Sequence, residues 1–248
     1  MILNKSNYPS IAIIARIDSS RYPKKVIKEI NNKSFIQRTI ERVKNCKLKN
    51  KIYLIIPQSS DNDILKEIAE KNNILCYRGD KEDVLSRVYN LCKVFNITNI
   101  VRINGDCPFI DNELIDYIIQ EHLIGNHDYT SNIIKNSYPI GMHIEVIRFE
   151  ALKKAFQFAN LKLEREHVTP YIYNRPQIFN IKSIIAKENN SDLRLCIDYP
   201  EDFSMAKKLI LKTNDKFYKL NDLIKLIRTN EELLELCTRF HKNQSIKY

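Results

Sequence analysis

An α/β fold, with a mostly parallel sheet covered by helices on both faces, is predicted by three features of the sequence. Apolar runs of four or five residues at 11–15, 52–56, 74–77 and 100–103 are rich in Ile, Val, Leu and aromatics, as in strands buried on both faces. Amphipathic stretches lie between and after them, at 33–46, 62–72, 82–96 and 111–124. Polar loops follow the runs. Strand and helix alternating at this spacing read as βαβ units.

The elements follow in order. Run 11–15 leads into the basic loop RIDSSRYPKK and then the helix at 33–46. Asp61 stands before Ile64, Leu65 and Ile68 as a helix N-cap. Asp80 stands before Val84, Leu85 and Val88 in the same way, with Asp83 three residues on as a capping-box analogue. The second half is less regular: strands are expected at 143–149, 178–185 and 193–197, and helices near 150–159, 165–174, 201–212, 220–228 and 231–240. With no Gly/Ser linker, low-complexity tract or repeat, the chain reads as a single domain over 1–248, with 213–248 a helical extension packed on it. The stripe Leu220, Leu223, Ile224 and Ile227 reads as core.

Composition narrows the function classes. Of 248 residues, 44% are hydrophobic and 28% charged, and a chain of this length buries roughly 70–75% of its unfolded surface. No apolar run approaches 18 residues, and the start MILNKSNYPS lacks the order of a signal peptide, so a cytoplasmic protein without membrane insertion is expected. Six cysteines, at 46, 76, 92, 107, 196 and 237, form no CxxC pair and read as reduced, mostly buried thiols. Cys107 reads as a small buried side chain. Forty Lys and Arg oppose 30 Asp and Glu, a net +10. Residues 1–50 hold 12 of the bases and 3 of the acids, a net +9. Such a block suits a nucleic acid, an acidic membrane or a polyanionic small ligand.

Ligands of open α/β sheets sit at the carboxyl ends of strands, and there the sequence is polar: RIDSSRYPKK, RGDKED, NGDCP and IDYPED. Arg16, Ser19, Ser20, Arg21, Lys24 and Lys25 offer the forks, hydroxyls and backbone N–H groups that a polyphosphate requires. The loop has no glycine and is not a GxxxxGK nucleotide loop; its alternative reading is a solvated basic surface. Asp106, at a strand end before a proline, suits Mg2+, a hard cation shared with substrate phosphates. Its alternative is a turn or a cap for the helix near Asp111. Asp198 is a second such carboxylate, whereas Glu201 and Asp202 read as first-turn helix acids. In EREHVTPY, Arg165 suits a substrate carboxylate and His167 a hydroxyl, against an alternative in which Arg165 and Glu166 form surface ion pairs.

These segments carry a family resemblance. ARIDSSRYPKKVIKEINNKSFIQRTIERV resembles the ARxGSxRLPGK loop and following helix of bacterial cytidylyltransferases that activate acidic sugars, the CMP-Kdo and CMP-sialate synthetases. YRGDKEDVLSRV, VRINGDCPFID, YPIGMHIEV, EREHVTPYI and LCIDYPED have counterparts, in the same order, in the subgroup of spore coat polysaccharide biosynthesis protein F. The resemblance runs from about residue 10 to 210. It implies a Rossmann-like nucleotidyltransferase (glycosyltransferase-A type) α/β/α sandwich, a CTP substrate, Mg2+ and, as in relatives, a homodimer. It also implies that Arg16, Ser19, Arg21 and Lys25 form the triphosphate loop, with Ala15, Ser20 and Gly105 beside them. Arg16, Lys25 and Asp106 would be catalytic, and Asp106 and Asp198 would bind metal. Arg78, Gly79 and Asp83 match the segment near the nucleotide, and Glu145, Arg165, Glu166 and His167 the acceptor sugar. Two departures stand out: Asp18 and Lys24 replace family glycines, and Lys tolerates positive φ poorly; His143 stands where an acidic residue is common.

The expected reaction is attack of a sugar hydroxyl, that of a 2-keto-3-deoxy acid by resemblance, on the α-phosphorus of CTP with loss of pyrophosphate. The same fold acting on a sugar 1-phosphate with another NTP is the nearest alternative. A nucleic-acid-binding domain leaves Asp106 and Asp198 without a role, and the sequence has no interleaved aromatic and basic motif for it.

Overall fold

The computed structural model describes residues 8–238. The four apolar runs become β1 (Ser10–Ile14), β4 (Ile52–Pro57), β5 (Leu75–Gly79) and β6 (Asn99–Asn104), all parallel. Between β1 and β4 a short hairpin, β2 (Glu29–Ile30) and β3 (Lys33–Ser34), turns on Asn31 and Asn32. Both have positive φ, 53° and 57°, as a two-residue hairpin loop of this kind requires. β7 (Tyr129–Ser131), β8 (Glu145–Arg148) and β9 (Ile181–Ser183) complete a seven-stranded sheet in the order β5-β4-β1-β6-β8-β7-β9. Only β8 runs against its neighbours.

Helices cover both faces, giving the expected α/β/α sandwich. One face packs α1 (Phe35–Lys44), α2 (Asp63–Lys71), α4 (Asn112–Gly125) and α8 (Pro200–Lys212) over Ile11, Ile13, Leu54, Val101 and Ile103. The other packs α3 (Val84–Val94), α5 (Phe149–Phe158) and α7 (Pro170–Tyr173) over Ala12, Tyr53, Ile55, Ile100 and Ile147. Alternate side chains of β1, β4 and β6 feed opposite cores, so their runs are apolar apart from Arg102, whereas β5, expected to be buried on both faces, is the sheet edge, with Leu75 exposed and its other residues half-buried. At the C-terminal end, α9 (Leu220–Arg228) and α10 (Glu231–Thr238) place Leu220, Leu223, Ile227, Leu233 and Cys237 in the first of these cores. The stripe on α9 is therefore core apart from the half-buried Ile224. Residues 239–240 of the expected last helix lie outside the described residues.

Several expectations shift. Asp83, not Asp80, caps α3, accepting from the Ser86 N–H at 2.8 Å, while Asp80 accepts from the N–H groups of Glu82 and Asp83 in the preceding turn. Asp61 lies in a 3-10 turn, and α2 begins at Asp63 with no side-chain cap. The helix expected at 165–174 is two, α6 (Lys162–His167) and α7, because Val168 takes φ 73° and ψ −53° between them. The Thr169 N–H donates to the His167 carbonyl at 2.9 Å, a γ-turn with positive φ that is strained for a β-branched residue. The strand expected at 178–185 is confined to β9, and α5 already begins at Phe149.

The segment 193–197 is not a strand of the sheet. It makes one isolated bridge, Arg194 with Ile140, and shares its backbone bonds among Ile140, Asp106, Cys237 and the nearby Asn190. Leu193, Leu195 and Ile197 are fully buried, so the apolar pattern reports burial and not ladder pairing. Gly141 lets this segment approach: its φ is 102°, and a Cβ there would lie 2.7 Å from the Leu195 carbonyl carbon. Gly141→Ala is expected to lower unfolding free energy by about 2–4 kcal/mol, combining strain and overpacking. An unchanged urea midpoint would show that the contact is not tight.

Candidate active site

The chain passes from β1 outward to β4 and β5, then returns to place β6 on the other side of β1. Side chains at the carboxyl ends of β1 and β6 therefore face a crevice where the strand order reverses, the usual ligand position in open α/β sheets. A pocket of about 380 Å3 lies there.

At its centre the Lys25 ammonium bridges two carboxylates, 2.5 Å from Asp106 Oδ2 and 2.6 Å from Asp198 Oδ1. Three parts of the fold deliver these groups. Lys25 opens a 3-10 turn after Lys24, which is left-handed at φ 59° and whose N–H donates to the Ile17 carbonyl at 2.9 Å. Asp106 follows Gly105, where a Cβ would lie 2.8 Å from Ile36 Cδ1 and 2.9 Å from Ala15 Cβ; only glycine lets β6 end this close to β1. Asp198 is drawn in by the Ile197 N–H, which donates to the Asp106 carbonyl at 2.9 Å. Asp111 caps α4, accepting from Glu113 N–H at 2.7 Å and Leu114 N–H at 3.0 Å, so Asp106 is not that helix's cap.

A second layer fixes Asp198. Its Oδ2 accepts from Arg194 Nη2 at 2.8 Å, and its Oδ1 also accepts from Arg21 Nη2 at 3.1 Å. Asp202 does more than favour the start of α8: it accepts from the Asp198 and Tyr199 N–H groups at 2.7 and 3.0 Å and pairs with Arg194. Burial opposes the charge on Lys25, but Asp106 and Asp198 outweigh it and hold the ammonium above the ordinary lysine range. Burial likewise opposes ionisation of Asp198, and Lys25, Arg21 and Arg194 outweigh it and hold the carboxyl below its ordinary value. Burial pushes the Cys107 and Cys196 thiols well up, so neither is a nucleophile at neutral pH.

Most of the expected phosphate loop meets these carboxylates. Ala15, Arg16, Ser19, Ser20, Arg21 and Lys25 line the pocket with Asp106 and Asp198, and Glu166 and His167 form part of its wall. Six other expected residues do not line it. Arg78 pairs with Asp63 on α2. Gly79 backs Arg87, with room for no Cβ: one would lie 2.7 Å from Arg87 Cγ. Asp83 holds Arg165, whose Nη1 also donates to the Phe156 carbonyl at 2.8 Å. Glu145 is buried beneath the pocket, bound to Arg102, Tyr129 and Thr169. Gly105 stands behind the pocket as the close-approach point. The pocket also contains residues the sequence reading did not single out, among them Lys81, Arg87, Arg102 and Asn104. The signal was available for the last two: in VRIN they alternate with buried Val101 and Ile103 at a strand's carboxyl end. Lys81 lies within RGDKED and pairs with Asp18 at 2.5 Å.

Residues 11–231 match the family model described as cytidylyltransferase. The chain belongs to the cytidylyltransferase family. It is an enzyme of the nucleotidyltransferase class. The structure of a cytidylyltransferase from Leptospira borgpetersenii serovar Hardjo-bovis (strain JB197) superposes with a TM-score of 0.87 at 29% identity, covering 96% of this chain and 98% of that one. Spore coat polysaccharide biosynthesis protein SpsF of Bacillus subtilis (strain 168) is 31% identical over 89% of this chain and 94% of its own length. CMP:2-keto-3-deoxy-manno-octonic acid synthetase complexed with CTP shares the fold, with a TM-score of 0.64 at 15% identity over 82% of this chain and 98% of that one. No helix among the described residues of this cytidylyltransferase is long and apolar enough to cross a membrane.

Lys24 keeps the positive φ that a glycine would adopt without cost. Lys24→Gly is expected to stabilise the cytidylyltransferase by about 1 kcal/mol, and a lowered melting temperature would overturn this. The triad also sets a pH window. Asp198's contribution is complete above the unfolded carboxylate value of roughly 3.9 and is lost as pH falls through its lower folded value. Lys25's is complete below roughly 10.4 and is lost as pH rises through its higher folded value. Asp198→Asn is therefore expected to flatten the stability-versus-pH curve below about pH 4. An acid limb as steep as the wild type's would contradict it.

Proposed function

We propose that this cytidylyltransferase transfers a cytidylyl group from CTP to a sugar hydroxyl, releasing pyrophosphate, and that its acceptor is an acidic sugar of the 2-keto-3-deoxy type. The observation that carries the reading is the convergence of Arg16, Arg21 and Lys25 with Asp106 and Asp198 in one pocket at the β1/β6 switch point. A polyphosphate loop opposite paired carboxylates suits nucleotidyl transfer, which needs positioning and charge neutralisation more than a covalent nucleophile. The choice of CTP rests on the family and on relatives whose names include it.

Mg2+ suits the donor set. Two carboxylate oxygens, both hard donors, approach one point now held by the Lys25 ammonium, and their side chains are 20% and 14% exposed. Mg2+ is commonly held by one or two carboxylates with substrate phosphates and water completing its shell, so a third protein ligand is not required. Asp106 and Asp198 would hold it. When bound, the ion supplies neutralisation of charge on the reacting phosphate.

The chain's own groups do the rest. Arg16 and Arg21 bind the β- and γ-phosphates and, with Lys25, stabilise the charge on departing pyrophosphate. Arg194 and Asp202 keep Asp198 oriented. His167, on the pocket wall beside Glu166, hydrogen-bonds the acceptor hydroxyl.

Pyrophosphate release measured across the four NTPs and a panel of acidic sugars and sugar 1-phosphates is the direct test. CTP with an acidic sugar is expected to give a product carrying one phosphate by mass spectrometry. A two-phosphate product from another NTP would overturn the reading. Asp106→Asn is expected to lose about a hundredfold or more in turnover while melting as a folded protein, and wild-type turnover would remove Asp106 from the mechanism. Arg21→Ala is expected to weaken CTP binding about tenfold by calorimetry, and unchanged affinity would remove it from the phosphate site.

A further inference from the structure

Among the described residues, three buried side-chain atoms able to hydrogen-bond have no partner: Arg102 Nε, His143 Nε2 and Ser183 Oγ. Such atoms are uncommon in folded proteins, and here they are not scattered. The sheet register pairs Arg102 with Glu145, Glu145 with Ser131, and Ser131 with Ser183. Cross-strand partners share a face, so these side chains form one row across β6, β8, β7 and β9. His143 precedes Glu145 by two residues, and the charges acting most directly on it are those of Glu145, Arg102, Asp106 and Arg194. The row thus begins beside the Lys25 triad and leads away from the phosphate loop.

Arg102 is where the row opens into the pocket. Its Nη1 donates to Glu145, which is held in turn by the Tyr129 hydroxyl at 2.7 Å and the Thr169 hydroxyl at 2.5 Å. That leaves Nη2 to donate into the pocket from a side chain that is 16% exposed, with Nε buried behind it; a charge-assisted bond from this nitrogen suits a carboxylate or phosphate oxygen. Arg165, the guanidinium expected from the sequence to take this role, has all three nitrogens committed to Asp83 and Phe156.

We propose that Arg102, braced by Glu145 and flanked by His143, is the specificity-determining residue of the acceptor subsite and grips an anionic group, carboxylate or phosphate, on the second substrate. The proposal rests on the cytidylyl-transfer reading above and adds which residues select the acceptor. Thr169 follows the strained turn at Val168, so the same segment that carries His167 to the pocket wall also closes over Glu145.

The test measures binding to CTP-loaded protein by calorimetry, using three acidic probes, 2-keto-3-deoxyoctonate, N-acetylneuraminate and glucose 1-phosphate, each beside its methyl ester or neutral parent. At least one acid is expected to bind about tenfold or more tightly than its neutral counterpart, and which one does separates carboxylate from phosphate recognition. Arg102→Gln is expected to abolish that preference while leaving CTP affinity within about twofold. Because this change strands the buried Glu145 carboxylate, the double variant Arg102→Gln/Glu145→Gln is measured alongside it and is expected to show the same loss. Neutral probes binding as well as acids, no acid binding, or a preference surviving in both variants would overturn the assignment. Failure of CTP itself to bind the wild-type protein would instead overturn the cytidylyl-transfer reading.

Discussion

The Lys25 ammonium between Asp106 and Asp198 is the contact on which the rest of the site depends. Lys25 lies 81 residues from Asp106 and 173 from Asp198, so a single side chain ties together the loop after β1, the turn after β6 and the approach to α8. Two carboxylates this close repel each other, and the ammonium between them offsets that repulsion. Burial makes the offset matter more: removing one member of a buried ion pair typically costs about 3–5 kcal/mol because the other is left uncompensated. The surrounding groups follow from this. Arg194 takes the far oxygen of Asp198, Asp202 neutralises Arg194, and the backbone N–H groups of Asp198 and Tyr199 satisfy Asp202. A polyanion entering from the side of Arg16 and Arg21 meets a cation whose charge is already fixed in place.

What was legible in the sequence was what burial and chain order determine locally. Three of the four strand runs are apolar on every residue and the fourth is broken only by Arg102, which marks them as strands, and their polar ends mark the crevice once the parallel order is assumed. Asp106 and Asp198 were visible because each follows a largely apolar segment and stands two residues before a proline. What was not legible depends on partners brought from elsewhere in the chain. Segment 193–197 has the composition of a strand because it is equally buried, but its distant backbone partners come from three separate places. Arg165 looked available until Asp83, 82 residues away, took it. Glu145 was read as touching the acceptor, and it instead braces Arg102, 43 residues away on a neighbouring strand. The three-residue shift from Asp80 to Asp83 at the start of α3 is local, and it arose because both carboxylates accept backbone N–H bonds in consecutive turns.

The distribution of backbone strain carries the argument to the site itself. With four glycines in 248 residues, the chain needs other residues at left-handed positions. Nine non-glycine residues among those described have positive φ. Seven of them are Asn or Asp, the residues that tolerate this region through local hydrogen bonds, and they sit in the hairpin loop and at or just beyond helix ends. The remaining two, Lys24 and Val168, have no such excuse: each costs on the order of 1–3 kcal/mol. Lys24 immediately precedes Lys25, and Val168 immediately follows His167, so both strained residues adjoin side chains that line the pocket. Strain persists only where the surroundings over-determine it. At Lys24 the constraint is the ion triad, which fixes where residue 25 must point. At Val168 it is the pair of anchors on either side, Arg165 held by Asp83 and Thr169 held by Glu145. The two distortions therefore occur where two segments that line one pocket are pinned by ion pairs and a buried carboxylate.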